Sequence, residues 1–137
     1  MVVEVECLFC RVVSGVLPSY VVHEDELSVA FLDTRPAARG HTLVVPRVHA
    51  QDLWDVDEQT AAAVMRTAHA AAAVLRARLH PDGLTVRQNN GEASGQQVPH
   101  LHLHLVPRWH GDGTVGWPWP PPQDVDLAAV LQELRPH

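Results

Sequence analysis

The segment His100-Leu101-His102-Leu103-His104-Leu105-Val106 alternates without a break between imidazole and aliphatic side chains. Side chains on a strand have a period of two, so the three histidines share one face and the leucines share the other. The leucine face reads as core. Three imidazoles spaced about 6–7 Å apart along a strand are costly to bury without partners, so their face either meets solvent or does chemistry. Two kinds of chemistry suit it. His-x-His is a common metal-ligand pair, which would make this a zinc enzyme with His100, His102 and His104 as ligands. Alternatively, one imidazole is a nucleophile and its neighbours orient it.

A second cluster of reactive side chains lies at Cys7-Leu8-Phe9-Cys10, which holds the only two cysteines of the chain. A Cys-x-x-Cys pair can be a redox couple, a pair of plain helical thiols or half of a zinc site. Between the two clusters runs Asn89-Asn90-Gly91-Glu92-Ala93-Ser94-Gly95-Gln96-Gln97, whose glycines let the backbone come close to phosphate oxygens. The chain contains no lysine: all ten of its Lys and Arg positions are arginine, and histidine is equally frequent at ten. That removes the P-loop, the lysine Schiff base and the Ser-Lys dyad.

These residues need a scaffold. Residues 7–13 read as a short helix closed at Ser14 and Gly15, with Gly15 as a left-handed cap. Strands are expected at 20–24, 27–33 and 41–46, then a long helix from about Asp57 stopped by His80-Pro81-Asp82-Gly83. Its apolar repeat runs through Ala61, Val64, Met65, Ala68, Ala72, Leu75 and Leu79. Further strands are expected at 84–89 and 98–106. Residues 109–123 read as irregular, and 124–134 as a closing helix with Asp124 as N-cap. Strands and helices do not alternate regularly, so a segregated α+β fold is expected, with the alanine-rich helix on one face of an antiparallel sheet.

At 137 residues one domain is the default, 1–137, with the Trp- and Pro-rich tail 109–137 outside its core. A formal charge of −6 argues against a nucleic-acid or acidic-membrane binder. No apolar run is long enough to span a membrane. The start of the chain is acidic where a signal peptide would be basic, so a cytoplasmic, reducing setting is expected.

The blocks described so far are recognisable together. Residues 89–108, containing His-φ-His-φ-His-φ-φ with φ apolar, resemble the signature of the histidine triad (HIT) superfamily. Cys7-Leu8-Phe9-Cys10, Ala30-Phe31-Leu32-Asp33 and Gly40-His41-Thr42-Leu43-Val44-Val45-Pro46-Arg47-Val48-His49 resemble its other blocks, in the same order and at the same spacing. The resemblance covers residues 5–108 and is nearest to the compact bacterial members and the nucleoside phosphoramidase branch.

It implies a homodimer whose sheets join, about five antiparallel strands per chain, and cleavage of a purine nucleotide at the α-phosphate, with nucleoside phosphoramidates or dinucleoside polyphosphates as substrates and a nucleoside monophosphate released. The alternative is a nucleotide-binding regulatory protein with little turnover. His102 matches the nucleophile that becomes nucleotidylated, and a backbone carbonyl accepting its other N–H would fix the tautomer. His104 matches the phosphate-contacting position and His100 the orienting one. Asp33 matches the ribose-binding carboxylate, Phe31 and Leu8 the walls of the base pocket, His41 a histidine near the phosphates, and Asn89 a contact to phosphate or leaving group. Gln97 stands where many relatives carry a hydroxyl that assists the leaving group, which leaves the preferred leaving group open. Some bacterial members hold structural zinc through residues matching Cys7, Cys10, His49 and His100, while no catalytic metal is implied. In relatives the tail reaches the neighbouring site, and Trp117 and Trp119 would stack on a base or leaving group, or cover the core. His23, His69, His80, His110 and His137 carry no assignment.

Overall fold

The computed structural model describes residues 7–113 and 122–135. Met1 to Glu6, Trp117, Trp119 and His137 lie outside the described residues, and with them the readings of the chain start and of the tryptophan tail. The elements run α1 (Leu8–Val13), β1 (Val21–Glu24), β2 (Ser28–Leu32), β3 (Thr42–Pro46), α2 (Glu58–Leu79), β4 (Gly83–Arg87), β5 (Leu103–Arg108) and α3 (Leu127–Leu134), with a 3-10 turn at Glu92–Ser94. The five strands form one antiparallel sheet in the order β1-β2-β3-β5-β4. This is the expected α+β architecture.

Both faces of the sheet are covered at its centre, which is why every residue of β2 and β3 is buried. Ala30, Leu32, Val44, Leu103 and Leu105 face α2, where they meet Val64, Ala68, Ala71, Leu75 and Leu79. Val29, Phe31, Leu43 and Val45 face the other way and pack on Phe9 of α1. Asp57 starts α2 by accepting the Thr60 N–H at 2.7 Å. His80 ends it in the left-handed conformation, with φ of 53°. Helix α3 packs on the outside of α2 through Val130 and Leu134.

Four sequence expectations need correction. The buried stripe of α2 is Thr60, Ala63, Val64, Thr67, Ala68, Ala71, Leu75 and Leu79, whereas Met65 is exposed and Ala61 and Ala72 are half-buried. An alanine-rich helix is weakly apolar all round, so periodicity leaves the angle of its buried face poorly fixed. The second correction concerns β4, which stops at Arg87, so that Asn89 lies in the following loop. Third, the strand expected over 98–106 joins the ladder only from Leu103. Before that, the Leu101 N–H donates instead to the Ala50 carbonyl, 2.7 Å away, in the loop after β3. Fourth, the N-cap of α3 is Asp126, not Asp124.

The loop from Asp33 to His41 folds over the end of α2. Gly40 sits there with φ of +86°, where a Cβ would lie 2.6 Å from Leu79 Cδ1 and 3.1 Å from Pro107 Cγ. Only glycine allows the chain to enter β3 that close to the helix. Among the described residues, no helix is long and apolar enough to cross a membrane.

Candidate functional site

The alternation of histidine and leucine holds through residues 100–105, although the ladder begins late. Leu101, Leu103 and Leu105 join the α2 core, and the imidazoles turn to the opposite side. They do not converge on one point. His100 is fully buried, and its Nε2–H donates to the Pro46 carbonyl at 2.9 Å. Its Nδ1 lies 3.3 Å from the Cys7 sulfur and 3.5 Å from that of Cys10. Both ring nitrogens are thus engaged away from His102 and His104, and the three do not form a shared metal site.

Helix α1 explains the cysteine arrangement. The Cys7 side chain caps the helix by accepting the Cys10 N–H at 3.4 Å, and residues three apart share one helix face. Both thiols therefore point at His100. His49, from the loop after β3, brings its Nδ1 to 3.3 Å from the Cys10 sulfur. The four donor atoms of Cys7, Cys10, His49 and His100 all lie within 4.8 Å of one another. A tetrahedral zinc with Zn–S of about 2.3 Å and Zn–N of about 2.0 Å would set sulfur and nitrogen roughly 3.5 Å apart. The separations of 3.3 to 3.5 Å fit that set. The Pro46 carbonyl supplies the outer hydrogen bond that a ligating histidine needs to present Nδ1 unprotonated.

His102 is arranged differently. Its Nδ1–H donates to the His100 carbonyl at 2.7 Å, leaving Nε2 with the lone pair. The ring is held edge-on by Phe9, 5.0 Å between centroids, and by His104 at 4.9 Å. His104 continues into a chain of hydrogen bonds. The Ala37 N–H donates to His41 Nδ1 at 2.9 Å, so the proton of a neutral His41 sits on Nε2. That nitrogen lies 3.0 Å from His104 Nδ1 and 3.4 Å from Asp33 Oδ2. Asp33, His41 and His104 also have donor atoms within 4.8 Å of one another, but hydrogen bonding already accounts for that closeness.

Burial sets the protonation states. It pushes His41 down to about 4, with the His102 charge adding to the effect. It takes His104 to about 3, helped by His102, His41 and Arg87. His102 is also lowered by burial, against the opposing pull of its bond to the His100 carbonyl. Burial raises Asp33, partly offset by the Arg35 N–H and charge. At neutral pH these imidazoles are neutral, as a nitrogen nucleophile requires.

One cleft of about 740 Å³ gathers most of the residues singled out from the sequence. Leu8, Phe31, Asp33, His41, Asn89, Gln97, His102 and His104 all line it, and Phe9, Leu43 and Val98 extend its apolar wall. Leu8 and Gln97 are exposed, and Phe31 and His41 are buried. Cys7, Cys10, His49 and His100 do not line it, and the two cysteines pack in one cluster with Phe9 and Leu43. A second depression of about 520 Å³, near Thr85, Val106 and Trp109, is bordered by arginines paired with Glu133 and Asp112 and holds no histidine.

Two residues of the site were not singled out from the sequence. Gln96, next to Gln97, is buried and holds the glycine loop: its Oε1 accepts the Gly91 N–H at 2.7 Å, and its Nε2 donates to Gln51 and Val98 carbonyls at 2.7 and 3.0 Å. Nothing in a Gln-Gln pair tells which one turns inward. Arg87 lines the cleft opposite His104. Its shared parity with Asn89 is the signal that could have found it.

Comparison with known proteins identifies the family. A family model described as the HIT domain matches residues 14–111. An uncharacterised HIT-like protein of Methanocaldococcus jannaschii is 38% identical over 129 residues, 94% of this chain and 98% of its own. Adenosine 5'-monophosphoramidase of Schizosaccharomyces pombe is 33% identical, over 93% of this chain and 95% of its own. The crystal structure of a zinc-bound histidine triad family protein from Mycobacterium smegmatis superposes with a TM-score of 0.85 at 39% identity, covering 95% of this chain and 91% of that one.

Proposed function

Because the chain belongs to the histidine triad family, we propose that it is a nucleotide hydrolase or transferase that works through a nucleotidyl-histidine intermediate on His102. The observation that carries this reading is the 2.7 Å bond from His102 Nδ1–H to the His100 carbonyl, in a cleft that also presents Asp33 and an apolar wall. It leaves a neutral Nε2 as the nucleophile. Attack on the α-phosphorus forms a P–N bond to His102 as the bond to the leaving group breaks, the electron pair departing with that group. Water then attacks the same phosphorus, the P–N bond to His102 breaks, and a nucleoside monophosphate is released.

In this reading Asp33 accepts the ribose hydroxyls, while Phe31 and Leu8 flank the base. His104, with its Nδ1 facing His41 Nε2–H, turns an Nε2–H toward the phosphate oxygens. Backbone N–H groups of the Asn89–Gln97 loop, held by Gln96, complete the cradle. Nucleoside phosphoramidates and dinucleoside polyphosphates are the substrate classes. The naming of the yeast relative as a phosphoramidase supports the first.

Cys7, Cys10, His49 and His100 would hold structural zinc, a closed set of four that leaves no position for catalysis. When bound, the metal would tie α1 to the strand that carries His102. Dimerisation is part of the same proposal: β4 lies at the sheet edge and exposes Leu84 and Val86, an apolar edge that calls for cover. A reducing, cytoplasmic setting suits Cys7 and Cys10, which form no disulfide.

The test is incubation with adenosine 5'-phosphoramidate, with mass spectrometry of the quenched protein. Wild type should carry a nucleotidyl adduct on the peptide containing His102, and His102→Ala should lose adduct and turnover by at least ~10³-fold. Equal turnover by both proteins removes the nucleophile from His102. Nucleotide binding without turnover in wild type would make the protein a binding module instead.

A further inference from the structure

The cleft draws its permanent positive charge from few places. With no lysine in the chain, only Arg35 and Arg87 supply it among the described residues of the lining. Arg35 serves the ribose end: its backbone N–H donates to Asp33 Oδ1 at 2.8 Å, and its side-chain charge acts on the same carboxylate. Arg87 serves the triad end. It closes β4 directly opposite His104, so the two side chains rise from one face of the sheet. Its charge reaches that imidazole and helps to keep it neutral. Arg87 is half-buried with its Nη1 shielded from solvent, so its charge is screened less than on the open surface.

Asn89, two residues further along the chain, and Gln97 line the cleft as well. Arginine, asparagine and glutamine share one property: they donate N–H hydrogen bonds and give up no proton at neutral pH. A group leaving the α-phosphorus beside them receives no proton from them. An amine leaves poorly on those terms, because the electron pair of the broken P–N bond ends on a strongly basic nitrogen. A phosphate leaves well. The pair of the broken P–O bond ends on an oxygen of a stable anion, and the added negative charge is what a planar, two-pronged guanidinium binds best.

We propose that Arg87 selects the leaving group, favouring anhydrides in which the α-phosphorus carries a further phosphate over phosphoramidates that release a neutral amine. The inference rests on the nucleotidyl-transfer reading above and names the substrate class of that site.

The experiment measures kcat/KM for diadenosine triphosphate and for adenosine 5'-phosphoramidate with wild type, Arg87→Lys and Arg87→Gln. The preference for the anhydride should fall about tenfold or more in Arg87→Gln, the size of one charge-assisted contact, and less in Arg87→Lys. Equal losses on both substrates, or an unchanged preference, overturn the proposal. Binding keeps the two readings separate. In a His102→Ala background, which cannot turn ligand over, Arg87→Gln should weaken ADP binding more than AMP binding. Equal weakening of the two overturns the role of Arg87 whatever the first assay gives. Undiminished turnover by His102→Ala instead sinks the nucleophile assignment and leaves the binding result to stand by itself.

Discussion

The buried histidines make a quantitative demand on stability. His41 and His104 titrate at about 4 and about 3 in the fold, against about 6.5 when the chain is unfolded. A folded pKa below the unfolded one means that protons favour the unfolded state. The stability contributed by the neutral rings is complete above pH 6.5 and is lost as the pH falls toward the folded values. Between pH 7 and pH 5 each ring therefore costs about 2 kcal/mol, and the pair about 4 kcal/mol, a large share of the stability of a small domain. Asp33 acts with the opposite sign, since burial raises its carboxyl, so the window above pH 5 is the one to use. Acid also strips any metal from the cysteine cluster, so the informative quantity is a difference between variants. Urea unfolding of wild type and His41→Asn at pH 7, 6 and 5 supplies it. The variant loses one of the two groups, and the gap between the two curves should close by about 2 kcal/mol on going from pH 7 to pH 5. A gap that stays constant over that range would refute the claim that His41 is buried neutral.

Two further outcomes follow from the geometry. Protein purified without chelator should carry about one zinc per chain, and Cys10→Ser should fall below about 0.2 with a lower unfolding temperature, as read by metal analysis and thermal denaturation; full zinc in the variant would remove Cys10 from the ligand set. Gly40→Ala combines a left-handed backbone with a Cβ 2.6 Å from Leu79 Cδ1, and should cost about 2–4 kcal/mol in urea unfolding; a loss under about 0.5 kcal/mol would show that the loop is free to move off α2.

Much of the site could be read from the chain because its key residues follow strand parity. His100, His102 and His104 keep to one side and the leucines to the other even where the ladder has not begun, because extended backbone is enough for alternation. Sharp local chemistry was equally readable, as in the Asp57 cap and the stop at His80. What escaped depended on partners distant in sequence. The buried angle of α2 was misjudged because alanine offers little contrast around a helix, and the sheet selects the face with Ala63, Thr67 and Ala71. Asp126 rather than Asp124 caps α3, and an aspartate pair two residues apart carries no mark of which one does so. The roles of Gln96 and Arg87 depend in part on Gln51 and His104, 45 residues away for Gln51 and across the β4–β5 ladder for His104.

His100 shows why the two sequence clusters belong to one machine. Its imidazole points back to Cys7 and Cys10, while its carbonyl faces forward and accepts the Nδ1–H of His102. A single residue thus fastens the cysteine cluster with its side chain and fixes the tautomer of the proposed nucleophile with its backbone. The Pro46 carbonyl holds the other side of the ring, so His100 cannot rotate without breaking its bond to β3. The path from α1 to the His102 ring therefore runs through this one residue, held on both sides by hydrogen bonds. The proposed zinc set would thus act on the cleft without facing it, because a hydrogen bond of 2.7 Å tolerates little movement of its acceptor before the His102 ring is free to turn.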